Sequence, residues 1–241
     1  MESKDYRFTV GYTYYNEPEL LKNQLEFWLR YPHEVEIILV DDGSQKYPAY
    51  DILKDLDIPN FQLWQVDEDL GFNSHGCRNL ITKLASTDYI LFMDIDCLMS
   101  PDNMGFLKKI KFKENNLYRF AMMNGVTKKY FSWPGHHNVF LVNKETFWAA
   151  GGYDESFTGY HKGDREFHRR LEAITKQSKV SDSVGITVVR GGRKSVIDEE
   201  VDKATYDDEE MLIRIPHPSP KEVDLVGKVK TKINFPYTRL L

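Results

Sequence analysis

Apolar runs alternate with segments of helical periodicity from residue 6 to residue 93, and this alternation restricts the chain to an α/β architecture on a largely parallel sheet. Tyr6 to Thr13, Val35 to Val40, Phe61 to Val66 and Tyr89 to Met93 are the strand candidates. Asn16-Glu17-Pro18 reads as a helix start, with Asn as cap and Pro in the first turn. Leu21, Leu25, Trp28 and Leu29 follow at helical spacing until Pro32 stops the helix. Cys77, Leu80, Ile81, Leu84 and Ala85 repeat the same way, so a second helix is predicted over 73–86.

The later half is less regular. A charged helix is expected near 103–113, strands over 117–123 and 138–142, and a helix over 163–176 with Phe167, Leu171 and Ile174 on one face. Residues 191–210 are first glycine-rich and then acidic, the composition of a mobile loop or solvated face. Pro216, Pro218 and Pro220 read as a stiff connector to a basic tail with Lys221, Lys228, Lys230, Lys232 and Arg239. The expected organisation is one domain over 1–215, made of halves 1–100 and 101–215, followed by the connector and tail over 216–241.

The net charge of −5 argues against a protein that holds nucleic acid by bulk electrostatics. Cys77 and Cys97 are too few for a disulfide framework, and the first residues lack the basic and apolar regions of a signal peptide. No apolar run approaches the roughly 20 residues of a membrane helix. A soluble, cytoplasmic protein is the expectation.

Ligands of an open parallel sheet bind outside the carboxyl ends of its strands. Polar groups stand at three such ends: Tyr14-Tyr15-Asn16-Glu17 after the first strand, Asp41-Asp42-Gly43-Ser44 after the second, and Asp94-Ile95-Asp96 after the fourth. Consecutive strand residues face opposite ways, so Asp94 and Asp96 share a side and offer oxygen ligands to Mg2+ or Mn2+ beside a diphosphate. Each group also reads as a cap or turn, which for Asn16 and Gly43-Ser44 is the simpler reading. Arg78 offers planar donors to a phosphate or carboxylate, or is a surface arginine of an amphipathic helix.

Several ordered segments resemble the inverting GT-A-fold glycosyltransferases of family two and the related galactosyltransferase-type domains. They are Thr13 to Glu17, Ile38 to Ser44, Gly71 to Asn79, Phe92 to Asp96, and Phe147 to Leu171 with Gly151-Gly152-Tyr153-Asp154 and Gly163-Asp164-Arg165-Glu166. The resemblance implies a nucleotide-binding half with a mostly parallel sheet fused to an acceptor-binding half. It further implies a UDP-sugar donor contacted by Thr13, Tyr15, Glu17, Asp41, Asp42, Gly71, Arg78, Asp94 and Asp96. Of these, Asp94 and Asp96 would hold Mn2+ or Mg2+. Asp164 matches the family's catalytic base, and its position also suits a carboxylate at a helix N-terminus. Gly151, Gly152 and Tyr160 would line the sugar and acceptor wall, with His136 and His137 contacting donor sugar or acceptor.

Two positions depart from the family pattern. Gly163 stands where Glu usually precedes the base, and Arg190 stands where a late-strand metal-binding histidine is expected, so Arg190 would meet phosphate directly. His136, His137 and His217 are alternative ligands. The acceptor is expected to be a glycan or another hydroxyl compound. A modified nucleic-acid base is the less favoured acceptor, on a phosphate track from Lys128, Lys129, His161, Lys162, Arg165, Arg169, Arg170, Arg193, Lys194 and the basic tail. A sugar-nucleotide pyrophosphorylase would carry a glycine- and basic-rich loop after the first strand, which Tyr12 to Asn16 lacks. A non-catalytic nucleotide- or glycan-binding module is the remaining alternative.

Overall fold

The computed structural model describes residues 6–71, 73–132, 135–158, 163–190 and 233–241. The first half runs β1 (Phe8–Tyr14), α1 (Pro18–Trp28), β2 (Val35–Asp41), α2 (Ala49–Leu53), β3 (Phe61–Val66), α3 (Ser74–Leu84) and β4 (Tyr89–Asp94). The second half adds β5 (Cys97–Leu98), α4 (Pro101–Leu107), β6 (Asn116–Arg119), β7 (Ala121–Asn124), β8 (Tyr130–Phe131), β9 (Phe140–Asn143) and α5 (Lys144–Ala149). A 3-10 turn at Glu155–Phe157, α6 (Gly163–Ile174), β10 (Lys176–Lys179), β11 (Gly185–Val188) and β12 (Tyr237–Arg239) complete it.

The main sheet has the order β10-β6-β9-β4-β1-β2-β3-β12 and is parallel from β4 through β3. Both faces are covered, which is why β2 reads as a nearly continuous apolar run rather than an alternating one. Ile37 and Leu39 enter one core with Val10, Tyr12, Trp28 and Leu91. Ile38 and Val40 enter the other with Cys77, Ile81, Phe92, Phe140 and Phe167. At Gly11 the second layer comes so close that an added Cβ would overlap Ile81 Cγ2.

The strand expected over 117–123 is divided. β6 joins the main sheet beside β9, whereas β7 passes into a small sheet of order β5-β11-β7-β8, with Phe120 buried at the junction. The charged helix expected to reach residue 113 stops at Leu107, where Lys108, Lys109 and Ile110 bond back to carbonyls of the last turn.

The last described residues return to the main sheet. β12 pairs antiparallel with β3 and covers its edge, Tyr237 packs on Trp64, and Phe235 is buried with the α3 side of the core. An open β3 edge would present unpaired backbone groups, and a returning strand satisfies them. The acidic stretch, the three prolines and the lysines of the expected tail lie outside the described residues. Among the described residues, no helix is long and apolar enough to cross a membrane.

Candidate active site

Strand register brings the polar ends together. Thr13 lies between Val40 of β2 and Asp94 of β4, and Tyr14 lies beside Asp41, so the segments after β1, β2 and β4 open on one edge. Asn16, held at φ 49°, fastens two of these segments: its side chain accepts the Lys46 and Tyr47 amides at 3.0 and 2.9 Å. Tyr15 donates to Asp69 Oδ2 at 3.0 Å, and Asp69 Oδ1 accepts the Gly71 amide at 3.0 Å, so Tyr15 and Gly71 shape the loop leading to α3.

Asp41 and Asp42 divide their work. Asp41 accepts the Ser44 and Ala49 amides at 2.9 and 2.7 Å, a turn and helix-start role that occupies both of its oxygens. Asp42 accepts the Asn73 amide through Oδ2 at 2.8 Å, while its buried Oδ1 has no hydrogen-bond partner. Burial pushes the Asp41 carboxyl up to about 6 and the Asp42 carboxyl to about 7, against the hydrogen bonds that favour ionisation.

Arg78 organises the centre. It faces inward from α3, is 4 % exposed, and lies over the Tyr153 ring at 5.3 Å. One guanidinium nitrogen donates to Asp94 Oδ1 at 2.7 Å, and another pairs with Asp164 Oδ1 at the start of α6. Burial works against the arginine's charge, but Asp164 and then Asp94 outweigh it and raise its pKa. Burial likewise pushes up Asp164, yet Arg78, His75, His137 and the Asn138 amide hold that carboxyl below its usual range. At Asp94, burial prevails over Arg78 and His136, and the pKa is raised.

A second arginine sits beside the first. Val188 pairs with Cys97, and the Val189 amide donates to the Asp96 carbonyl at 2.9 Å, so the chain after β11 runs alongside the acidic triplet. Arg190 Nε reaches Asp96 Oδ2 at 3.1 Å, and its NH1 pairs with Glu17. Burial disfavours this charge too, and Glu17 followed by Asp96 raises the pKa above the ordinary arginine value.

The expected metal pair is thereby split. Asp96 is engaged by Arg190, whereas Asp94 Oδ2 lies 3.6 Å from His136 Nδ1, a buried nitrogen without a hydrogen-bond partner. One ligand atom each of Asp94, His136 and Cys97 lies within 4.8 Å of the other two. An orphaned nitrogen beside a carboxylate oxygen fits a divalent cation such as Mn2+ better than Mg2+, which prefers oxygen alone. Burial, reinforced by Asp96 and Asp94, keeps the Cys97 thiol protonated and makes it a poor ligand.

The remaining candidates are scattered. His137 packs its ring against His168 at 4.0 Å, on a cluster where Arg119 also meets Glu172 at 3.0 Å. Gly151 and Gly152, at φ 89° and 65°, return their amides to Trp148 and Phe147 carbonyls and end α5, a left-handed turn that glycine adopts without strain. Tyr160, His161, Lys162, Arg193, Lys194 and His217 lie outside the described residues. Arg170, read as part of a phosphate track, is buried with its guanidinium on Glu166 and the Ala150 carbonyl. The sequence reading missed His75 and Asn138. His75 could have been found, since it precedes Arg78 by one helical turn on α3; nothing local marks Asn138, which donates to Asp164 Oδ2 at 3.1 Å.

Comparison with known proteins gives the arrangement a context. The family model described as "Glycosyltransferase like family 2" matches residues 13–118. No curated protein matches. Among solved structures, S. aureus TarS 1-349 in complex with UDP-GlcNAc aligns with a TM-score of 0.67 at 16% identity, covering 91% of this chain and 70% of that one. Mannosyltransferase PcManGT from Pyrobaculum calidifontis, with GDP-Man and Mn2+, gives 0.60 at 16% identity, with coverage of 92% and 68%. The catalytic domain of Drosophila β1,4-galactosyltransferase 7, complexed with xylobiose, gives 0.53 at 16% identity, with coverage of 88% and 81%. Residues 13–118 thus match a glycosyltransferase family 2-like domain, and the chain as a whole has the GT-A glycosyltransferase fold.

Proposed function

We propose that this chain is a glycosyltransferase that moves a sugar from a UDP-sugar to a hydroxyl acceptor, inverting the anomeric configuration, with Asp164 as general base. The observation that carries the reading is the Asp94–Arg78–Asp164 bridge, in which one buried guanidinium joins the end of β4 to the start of α6. A donor-side carboxylate and a carboxylate able to receive a proton thereby meet at one point. Further support comes from the neighbours, whose structures hold UDP-GlcNAc, GDP-Man with Mn2+, and xylobiose.

Each residue has a task. Asp42 Oδ1, buried and without a hydrogen-bond partner, suits an N–H donor of the uracil. Arg78 and Arg190 place positive charge where the departing diphosphate gains negative charge. Asp94 and His136 would hold a divalent ion, which supplies charge neutralisation to that diphosphate when bound. Asp164 takes the acceptor's proton as its oxygen bonds to the anomeric carbon, and the bond from that carbon to the phosphate oxygen breaks on the opposite face, UDP leaving with the electron pair. Asn138 and Arg78 fix the carboxylate's orientation, so the oxygen pair is aimed before the acceptor arrives.

A panel of UDP-sugars with candidate hydroxyl acceptors, read by UDP release and product mass, tests the activity. Asp164→Asn is expected to lower transfer by about 10²- to 10⁴-fold, the usual contribution of general-base catalysis, with UDP affinity little changed. Near-normal transfer by this variant would remove Asp164 from the role. UDP binding with no transfer from any donor would instead identify a binding module.

A further inference from the structure

The start of α6 carries a steric oddity that the proposed chemistry leaves unexplained. Gly163 has an ordinary helical backbone and needs no glycine for its conformation, yet a Cβ there would lie 2.7, 2.9 and 3.0 Å from Nε2, Cε1 and Cδ2 of His75. Such separations are inside van der Waals contact, and the obstacle is no flexible chain end. The His75 side chain is fully buried, with its ring packed on Tyr153 at 5.5 Å and Phe157 at 6.4 Å. The ring cannot swing aside without disturbing Tyr153, which itself stacks on Phe167 at 4.0 Å.

The absent side chain lets the imidazole edge reach the next residue. His75 Nε2 lies 3.8 Å from Asp164 Oδ1, the same oxygen that Arg78 grips from one turn further along α3. The Asp164 carboxylate is thus bounded by His75 and Arg78 on α3 and by Asn138 ahead of β9. Resting on the reading of Asp164 as the base, we propose that His75 is a positioning residue for Asp164, seated against it because residue 163 carries no side chain. His75 never touches the donor or acceptor; it restricts the carboxylate to the orientation in which the Asn138-bonded oxygen receives the proton.

The test is a double-mutant cycle with a catalytic readout. Gly163→Ala is expected to lower Tm by several degrees beside His75 and by much less in a His75→Ala background, since the clash needs both groups. Equal losses in the two backgrounds overturn the contact. His75→Phe keeps the ring shape and its packing but removes the nitrogens. We expect a roughly tenfold fall in kcat, with UDP affinity within about twofold of wild type. If kcat is unchanged in a folded Phe variant, His75 is only a packing residue and the inference fails. If His75→Phe does not fold, His75→Leu, which also lacks the nitrogens, replaces it under the same criteria. Wild-type protein that transfers no sugar overturns the functional reading and the positioning role together, whereas the Tm cycle still decides whether His75 and position 163 are in contact.

Discussion

Asp42 shows how a single carboxylate can be kept at a cost to stability. It is 1 % exposed, and burial pushes it up to about 7 despite the hydrogen bond from the Asn73 amide. An aspartate whose folded pKa exceeds its unfolded value binds more protons in the folded state between those values. Its contribution to stability is complete below the unfolded pKa, near 3.9, and is lost as pH rises through about 7. Asp42→Asn keeps an acceptor for the Asn73 amide and removes the titration. We expect it to raise stability at pH 8 by about 1–3 kcal/mol, leave stability at pH 4 little changed, and weaken UDP binding. Urea denaturation at the two pH values checks the sign; a variant less stable at pH 8 than wild type would refute the assignment.

At the scale of elements, α3 matters most because it carries both His75 and Arg78, which meet the same oxygen of Asp164. Its height above β1 is set by Gly11, where Ile81 occupies the space of a side chain. Gly11→Ala must push α3 outward or force Ile81 off its rotamer, an overpacking that costs about 1–3 kcal/mol. Because Arg78 lies one turn from Ile81, we expect a parallel loss of UDP affinity. Thermal melts and UDP titration of the same variant check this; lower stability with intact UDP affinity would separate the packing from the site. The Cys77, Leu80 and Ile81 repeat made α3 legible, as the apolar runs made β1 to β4. The division of 117–123 into β6 and β7 was not legible, because both pieces are apolar and only tertiary partners assign them to different sheets. The β12 strand was hidden for a related reason: a three-residue edge strand has too little sequence to show a period.

For the whole molecule, the site is a junction rather than a property of either half. Arg78 and Asp164 are separated by 86 residues, and Arg190 joins Glu17 to Asp96 across 173 and 94. The sequence supplied the acidic triplet and its neighbours in order. It could not show that Asp94 and Asp96 go to different arginines, because ion-pair partners follow from the closed fold and not from spacing. A ligand that engages both sides of such a junction stabilises the entire cooperative unit. At a concentration about 100 times its Kd, UDP adds about 2.7 kcal/mol. For a chain of this length that corresponds to a Tm rise of about 5–10 °C. ADP at the same concentration is expected to give a smaller rise, since adenine has no ring imide N–H like that of uracil to donate to Asp42 Oδ1. Equal shifts from UDP and ADP would remove Asp42 from base recognition. Running the UDP melts in Mn2+ and in EDTA then weighs the two sources of positive charge. A shift that needs Mn2+ assigns the diphosphate to an ion on Asp94 and His136, and a shift that survives EDTA assigns it to Arg190 and Arg78.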